Sequence, residues 1–403
     1  MNDDRRAFRP GRRRFLAAAA ALAVAACRRA PPPPPSSVSA GGRRNYGDRS
    51  PYEKIVRSFN PATTTPGTGS SKTPLQDARG IITPSSLHFE RHHSGVPDID
   101  PSRHELLVHG LVERPLVFTL RDLERLPSVS RIHFIECAGN SGREHSGRPG
   151  ADPQQSHGLV SCSEWTGVPL RRLLEEAGLA PGAKWLLAEG ADTCRMARSI
   201  PLAKALDDVL VAYGQNGEAL RPEQGYPLRL VVPGWEGNVN VKWLGRLHVL
   251  DQPAMTRDEA AYYTDLMADG TARRFTFVME AKSVIVRPAG GQVLPGAGPY
   301  EISGLAWSGR GRIRRVEGSS DGGASWQASV LDEPVLPKAF TRFHVPWRWS
   351  GGEAVLASRA TDETGYVQPT RVAIVAARGL NGTDHYNGIK AWRVHPDGTV
   401  THA

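Results

Sequence analysis

Residues Phe134–His145 read FIECAGNSGREH. The apolar run RIHFIEC, residues 131–137, has the texture of a strand, and it breaks at once into small, flexible, polar residues. A buried cysteine normally behaves as a small hydrophobe inside an element. Cys137 stands instead at a strand exit, followed by Gly139 and Gly142, where a ligand can approach the backbone.

Upstream, HELLVHGLV reads as a second strand and TLRDLERL as a short helix. There Thr119 and Asp122 make a capping-box-like start, and Leu120, Leu123 and Leu126 fall on one helical face. Downstream, PLRRLLEEAGL and PLAKALDDVLVAY read as amphipathic helices, each opening at a proline, with Gly178 stopping the first. PLRLVVPG and VKWLGRLHVL read as strands. From Phe275 onward helix signals vanish, and FTFVMEAKSVIVRP, YEISGLAWSG, IRRVEGSSDGGASWQASVL, AVLASRATDETG and RVAIVAA all read as strands, with turn punctuation at Asp321-Gly322-Gly323. The fold class expected is α+β: a mixed α/β domain over residues 81–266, then an immunoglobulin-like β-sandwich over 270–395. No repeat of solenoid period is visible.

The 403 residues carry a net charge of +9, which invites a nucleic-acid reading. Its distribution argues otherwise. Residues 1–45 hold ten arginines against Asp3 and Asp4, so the remainder is close to neutral and a polyanion-binding body is not supported. Within that tail, GRRRFLAAAAALAVAAC pairs arginines with an apolar run too short to span a bilayer, the pattern of a twin-arginine export signal over residues 1–27. The expectation is a periplasmic protein, tied to a membrane only if Cys27 carries a lipid. Residues 28–80, with five successive prolines from Pro31, read as a linker. Beyond Cys27 there remain Cys137, Cys162 and Cys194, an odd number; a Cys162–Cys194 disulfide is open but not demanded.

A zinc site from His88, His92 and Cys137 is one reading of these residues, though HExxH and CxxC pairs are lacking. There is no CxxCH for a c-type haem and no G-x-S-x-G elbow for a hydrolase. The alternative for Cys137 is a soft thiolate donor to a metal already held by other sulfur ligands, with nearby cations binding an anionic cofactor.

The motifs HFERHH, IECAGNSG, GLVSCSEWTGVPL, EGADTCRMARSIPL, GYPLRLVVPGWEGNVNVKWLGRL, YYTDL and GLAWSGRGRI, in that order over roughly residues 80–395, resemble the molybdenum-containing sulfite oxidase family. Within it, the likeness is greatest to the molybdenum subunits of sulfane (sulfite) dehydrogenases. The resemblance implies a molybdopterin-binding fold, one molybdenum–molybdopterin cofactor per chain, and Cys137 as the thiolate ligand of the metal. It implies that Phe89, Glu90, Arg91, His92 and His93 contact the pterin and the metal end, with Arg91 beside the oxyanion. Arg229, Asn240, Val241 and Lys242 would line the pterin phosphate, Gln224 and Asp192 would contact the pterin, and Tyr263 would be the active-site tyrosine, with Tyr262 competing for that role. It further implies a c-type cytochrome as electron acceptor, a homodimer, and in one branch a sulfur-carrier protein as substrate.

Each assignment has a plainer rival. Arg91 fits a salt-bridged surface residue, Tyr263 a core tyrosine, Lys242 a snorkelling strand-edge residue, Asp192 a turn cap and His93 a packing residue. The family's pair of arginines after CAGN is replaced here by Ser141 and Gly142, with Arg143 displaced by one. That departure suits an opened site for bulkier sulfur. Rival functions are a molybdoprotein of the methionine-sulfoxide reductase type and a non-enzymatic exported binding protein.

Overall fold

The strand expected before Cys137 runs from Val129 to Glu136 and pairs antiparallel along its length with Val160–Pro169, Phe134 standing opposite Cys162. It is the edge of a five-stranded sheet continued by Leu210–Gln215 and Glu218–Ala219, with Arg229–Val231 also on Leu210–Gln215. The computed structural model describes residues 47–60, 67–267, 269–380 and 384–403. The export-signal reading, Cys27 and much of the linker reading lie outside them.

A second five-stranded sheet runs in the order Leu116–Thr119, Glu105–Gly110, Leu244–Leu250, Trp185–Gly190, Ala197–Pro201. Its one parallel pair is Glu105–Gly110 with Leu244–Leu250. Alternation sets what each face buries. Leu106, Val108, Leu186, Ala188, Leu247 and Val249 meet Val168, Val211 and Leu230 of the first sheet in one core. Trp165, Leu210, Ala212 and Val231 point the other way, into a smaller cluster with Ile135 and Phe89.

The helix Leu170–Ala177 contributes Leu170, Leu173, Leu174 and Ala177 to the main core, one stripe at helical spacing, and ends at Gly178 with φ 70°. Each such leucine contributes roughly 1.5–3 kcal/mol. The helix Leu120–Glu124 opens with the expected reciprocal cap: Asp122 N donates to Thr119 Oγ1 at 3.2 Å and Thr119 N donates to Asp122 Oδ2 at 3.0 Å.

Two secondary-structure expectations are corrected. PLAKALDDVLVAY is a helix only over Leu202–Asp207; Leu210–Gln215 is a strand. Flanked by Val160–Pro169 and Arg229–Val231, it is almost wholly buried, so ladder pairing overrides the helical spacing of its apolar residues. RVAIVAA is not a strand but lies in the helix Arg371–Arg378. Thr370 caps it, accepting from Ala373 N at 3.2 Å, and the alanines favour a helix where only Ile374 is buried. Strands are also found inside the span read as linker. Ser58–Asn60 and Gly69–Lys72 form an antiparallel sheet with Glu90–His92, and Leu75 is fully buried.

The C-terminal half is a sandwich of a four-stranded sheet (Lys282–Arg287, Gly298–Trp307, Thr341–Trp349, Val330–Leu331) and a five-stranded one (Gln327–Ala328, Ile313–Ser319, Ala354–Asp362, Ala391–Val394, Val400–His402). Ile285, Ile302 and Ala306 point into the sandwich core. Their neighbours Val284, Val286, Leu305 and Trp307 point outward and pack on Leu75, Phe134, Val160 and Cys162 of the first half. Both faces of the four-stranded sheet are thus covered, which explains the unbroken VIV of residues 284–286.

Candidate functional site

Past Glu136 the chain turns. Cys137 N donates to Leu159 O at 3.0 Å and Asn140 N donates back to Cys137 O at 2.9 Å, leaving the thiol at the wall of a cleft. The cleft encloses about 700 Å³, including space open to solvent. All thirteen residues singled out in the sequence line it: Cys137, Arg91, Tyr263, Phe89, Glu90, His92, His93, Asp192, Gln224, Arg229, Asn240, Val241 and Lys242. Five separate stretches are brought together, residues 89–93, 137, 192, 224–242 and 263, the last of them just beyond the helical turn Asp258–Tyr262.

The cationic end is buried. Arg229, 3% exposed, donates from Nη1 to Gln224 O at 3.0 Å and from Nη2 to Asn240 O at 3.2 Å, its guanidinium over the Trp165 ring at 4.7 Å. Lys242 Nζ donates to Arg91 O at 3.1 Å and Glu223 O at 2.9 Å. Burial first, and then the Arg229 charge, pushes its pKa down to about 7. An anion bound here would draw a proton onto Lys242. The affinity of cofactor-free protein for inorganic sulfate, whose own charge is constant over this range, is therefore expected to fall with rising pH above 7, by up to about tenfold per pH unit for one linked proton. Thermal-shift titrations from pH 6 to 9 check this; a flat profile would dissociate Lys242 from anion binding.

At the other end Arg91 is held by Nη1, which donates to His92 O at 2.6 Å and Gly69 O at 3.5 Å. Among the described residues its side-chain hydrogen bonds are all made from Nη1, so the rest of the fork is available to an anion in the cleft. Tyr263 lines the cleft with the Arg198 guanidinium 4.7 Å over its ring, whereas Tyr262 is 56% exposed and lies outside the lining. Burial pushes the Tyr263 phenol well above its ordinary range, which keeps it a hydrogen-bond donor.

Three of the lining side chains spend their polar atoms on scaffolding. Gln224 Nε2 donates to Phe89 O at 2.8 Å. Asn240 accepts from Val232 N at 2.7 Å and donates to Glu236 O at 3.0 Å. Asp192 accepts from Cys194 Sγ at 2.8 Å and Met196 N at 3.2 Å, the turn-capping role. Glu90 pairs with Arg57 at 3.0 Å, and Arg57 also reaches Glu223, so a residue from the span read as linker braces the cleft.

The zinc reading fails on geometry: among the described residues no three His, Cys, Asp or Glu converge on a metal position. The Cys162–Cys194 disulfide is absent as well. Cys162 is sealed in the core beside Phe134 and Trp307, while Cys194 bonds Asp192 on the cleft side.

The residues fit a pterin cofactor with an anionic tail and a metal needing one protein thiolate. His88 Nε2 and His92 Nδ1 are buried at the cleft without partners, two orphaned polar atoms that a ligand would satisfy. Burial, against a raising hydrogen bond to Phe89 O at His88 and helped by the nearby cations at both, pushes His88 down to about 3 and His92 to about 4, so both stand neutral. Gly237 permits the close approach of its loop to the Cys137 turn, since a Cβ there would lie 2.9 Å from Glu136 O and 3.2 Å from Cys137 Cα.

Fold and cleft together define a molybdopterin-binding oxidoreductase. The chain matches the oxidoreductase molybdopterin binding domain over residues 93–257 and the Mo-co oxidoreductase dimerisation domain over residues 273–390. It is similar to the crystal structure of the sulfane dehydrogenase SoxCD from Paracoccus pantotrophus, with 47% identity and a TM-score of 0.85 over 91% of this chain and 96% of that one. It is also 33% identical over 336 residues to the NAD(P)H nitrate reductase of Hordeum vulgare and 33% over 338 residues to the NADH nitrate reductase of Solanum lycopersicum. Each of those alignments covers 73% of this chain but only 38% and 37% of the reductase, so the chain spans less than two-fifths of their length. The chain belongs to the sulfite oxidase family of molybdenum oxidoreductases, and its cofactor is molybdenum–molybdopterin.

Sequence reasoning missed two groups of buried charges, Glu136 with Lys282 and Glu236 with Arg198 and His385. Glu136, Arg198, Glu236, Lys282 and His385 are buried charged or titratable residues scattered over 250 positions, with no motif to gather them. The one available signal was a charge inside an apolar strand, as at Glu136 in HFIEC and Lys282 in EAKSVIV.

Proposed function

We propose that this protein is a periplasmic sulfane or sulfite dehydrogenase, exported by the twin-arginine route and passing electrons to a c-type cytochrome, working as a homodimer. The observation that carries the reading is the segment after Cys137. Ser141 and Gly142 stand where the family's two arginines would, and Arg143 is exposed and outside the cleft lining. The metal end therefore presents one arginine, Arg91, in an open cleft, which suits sulfur carried on a bulky partner better than a small, doubly clamped dianion. The likeness to the sulfane dehydrogenase supports the same reading.

When bound, the cofactor supplies oxygen-atom transfer and two-electron redox chemistry. This chain's residues do the rest. Arg229 and Lys242 hold the anionic tail, and the Arg91 fork orients the substrate's negative charge toward the Cys137 side of the cleft. Tyr263, kept protonated by burial, donates to oxygen at the reacting end. Oxidation of sulfite to sulfate takes its oxygen from water and releases two protons and two electrons; the electrons pass to the cytochrome, and the open mouth of the cleft delivers the protons to solvent.

The test is an assay of the metal-loaded protein with cytochrome c, offering sulfite, thiosulfate and a persulfide on a small carrier protein. Cytochrome reduction, fastest with the carrier, is the expected result. Reduction of nitrate or methionine sulfoxide by reduced viologen, with no sulfur oxidation, would overturn the proposal.

A further inference from the structure

Cys137 is preceded by a carboxylate that has no business in a hydrophobic strand end unless it is held. Glu136 is fully buried, and its two oxygens carry three donors. Oε1 accepts from Lys282 Nζ at 2.5 Å and from Asn140 Nδ2 at 2.9 Å; Oε2 accepts from Trp307 Nε1 at 2.7 Å. Lys282 and Trp307 belong to adjacent strands of the C-terminal sandwich and stand opposite one another in the ladder. Asn140 closes the Cys137 turn and accepts from Leu159 N at 3.1 Å. One carboxylate thus links the turn that carries the thiol to the second half of the protein.

The rest of the turn is gripped from the same side. His385 N donates to Ala138 O at 2.8 Å. Lys390 pairs with Glu144 at 3.0 Å, and Arg371 Nη2 donates to His145 O at 2.9 Å. Apolar packing alone would require none of these, since Val284, Val286 and Leu305 already seal the contact on Phe134 and Val160. A buried ion pair contributes little net stability compared with apolar residues of similar size, but it fixes geometry. Ligand orientation is commonly set by such outer partners.

We propose that Lys282 and Trp307, contributed by the sandwich, are positioning residues for the Cys137 thiolate, acting through Glu136. The proposal rests on Cys137 being the metal ligand. It gives the C-terminal half a part in the chemistry besides subunit association: the sandwich holds the thiol at the angle the metal requires.

The experiment uses the full chain loaded with its cofactor. Lys282→Met is expected to retain about the wild-type metal content and circular dichroism. Its visible charge-transfer band and the Mo(V) resonance of dithionite-reduced protein should be displaced, with kcat lowered roughly 10–100-fold and KM little changed. Leu305→Ala, which removes packing at the same contact, should lower the melting temperature and leave both spectra in place. If Lys282→Met fails to fold, the double variant Glu136→Gln/Lys282→Met leaves no buried charge unpaired and carries the test, again with displaced spectra expected. Wild-type spectra and kcat in these variants, or equal spectral displacement in Leu305→Ala, would overturn the proposal. Cys137→Ser separates the two claims: a retained charge-transfer band there refutes the ligand assignment itself, whereas its loss beside normal Lys282→Met spectra refutes only the positioning.

Discussion

Cys137→Ser is expected to abolish turnover and bleach the sulfur-to-metal charge-transfer absorption while the melting temperature stays close to that of the wild type. The fold should survive because the turn is built from main chain: Cys137 N to Leu159 O at 3.0 Å and Asn140 N to Cys137 O at 2.9 Å need no sulfur. The chemistry should not survive. Burial, with the nearby carboxylates after it, pushes the free thiol up to about 11, so it would ionise only in partnership with a metal. A serine hydroxyl is harder and far less acidic, and a soft metal centre that already has sulfur donors gains little from it. Visible spectroscopy, elemental analysis and the cytochrome c assay on one preparation check the prediction. A coloured, active Cys137→Ser protein would remove residue 137 from the metal.

The local features of this outcome were legible in the sequence because they rest on neighbours. The strand ending at Glu136, the capping box of Thr119 and Asp122, and the leucine stripe of Leu170–Ala177 are each decided within a few residues. The sandwich was legible from strand-like runs with turn punctuation, but the helix Arg371–Arg378 was not. Its Val-Ala-Ile-Val run has strand-forming residues and only its missing sheet partner and the Thr370 cap decide otherwise. The cleft residues could be named because ordered family motifs carry them. The buried charges around them could not, since Glu136 finds Lys282 146 positions away and Glu236 finds His385 149 away. Such pairs are fixed by how the halves pack, and no periodicity encodes them.

Arg198→Met should be the most damaging substitution outside the cleft lining, costing about 3–5 kcal/mol by stranding buried carboxylates. Arg198 is 1% exposed; its Nη2 meets Glu236 Oε1 at 3.0 Å, its Nε lies 3.6 Å from Glu259, and Nη1 bonds Asn238. Burial alone would raise Glu236, yet the hydrogen bond and charge of His385, then Arg198, bring it down to about 2. Its contribution to stability is therefore present above its unfolded value and lost only as pH falls toward 2. His385 behaves oppositely. Burial would lower it, but Glu236, at 2.9 Å, lifts it above the ordinary histidine range, so its contribution is full below the unfolded value and fades as pH rises through the folded one. In the variant His385 is the charged partner left to Glu236, and that partner discharges as pH rises through its raised folded-state value. The destabilisation of Arg198→Met should accordingly grow from pH 6 to pH 8.5, read by urea or thermal melts at both. Because the same guanidinium covers the Tyr263 ring, kcat should fall even at pH 6, where the fold is best preserved. Equal destabilisation at the two pH values would mean that Arg198 acts through packing and not through the charge of Glu236.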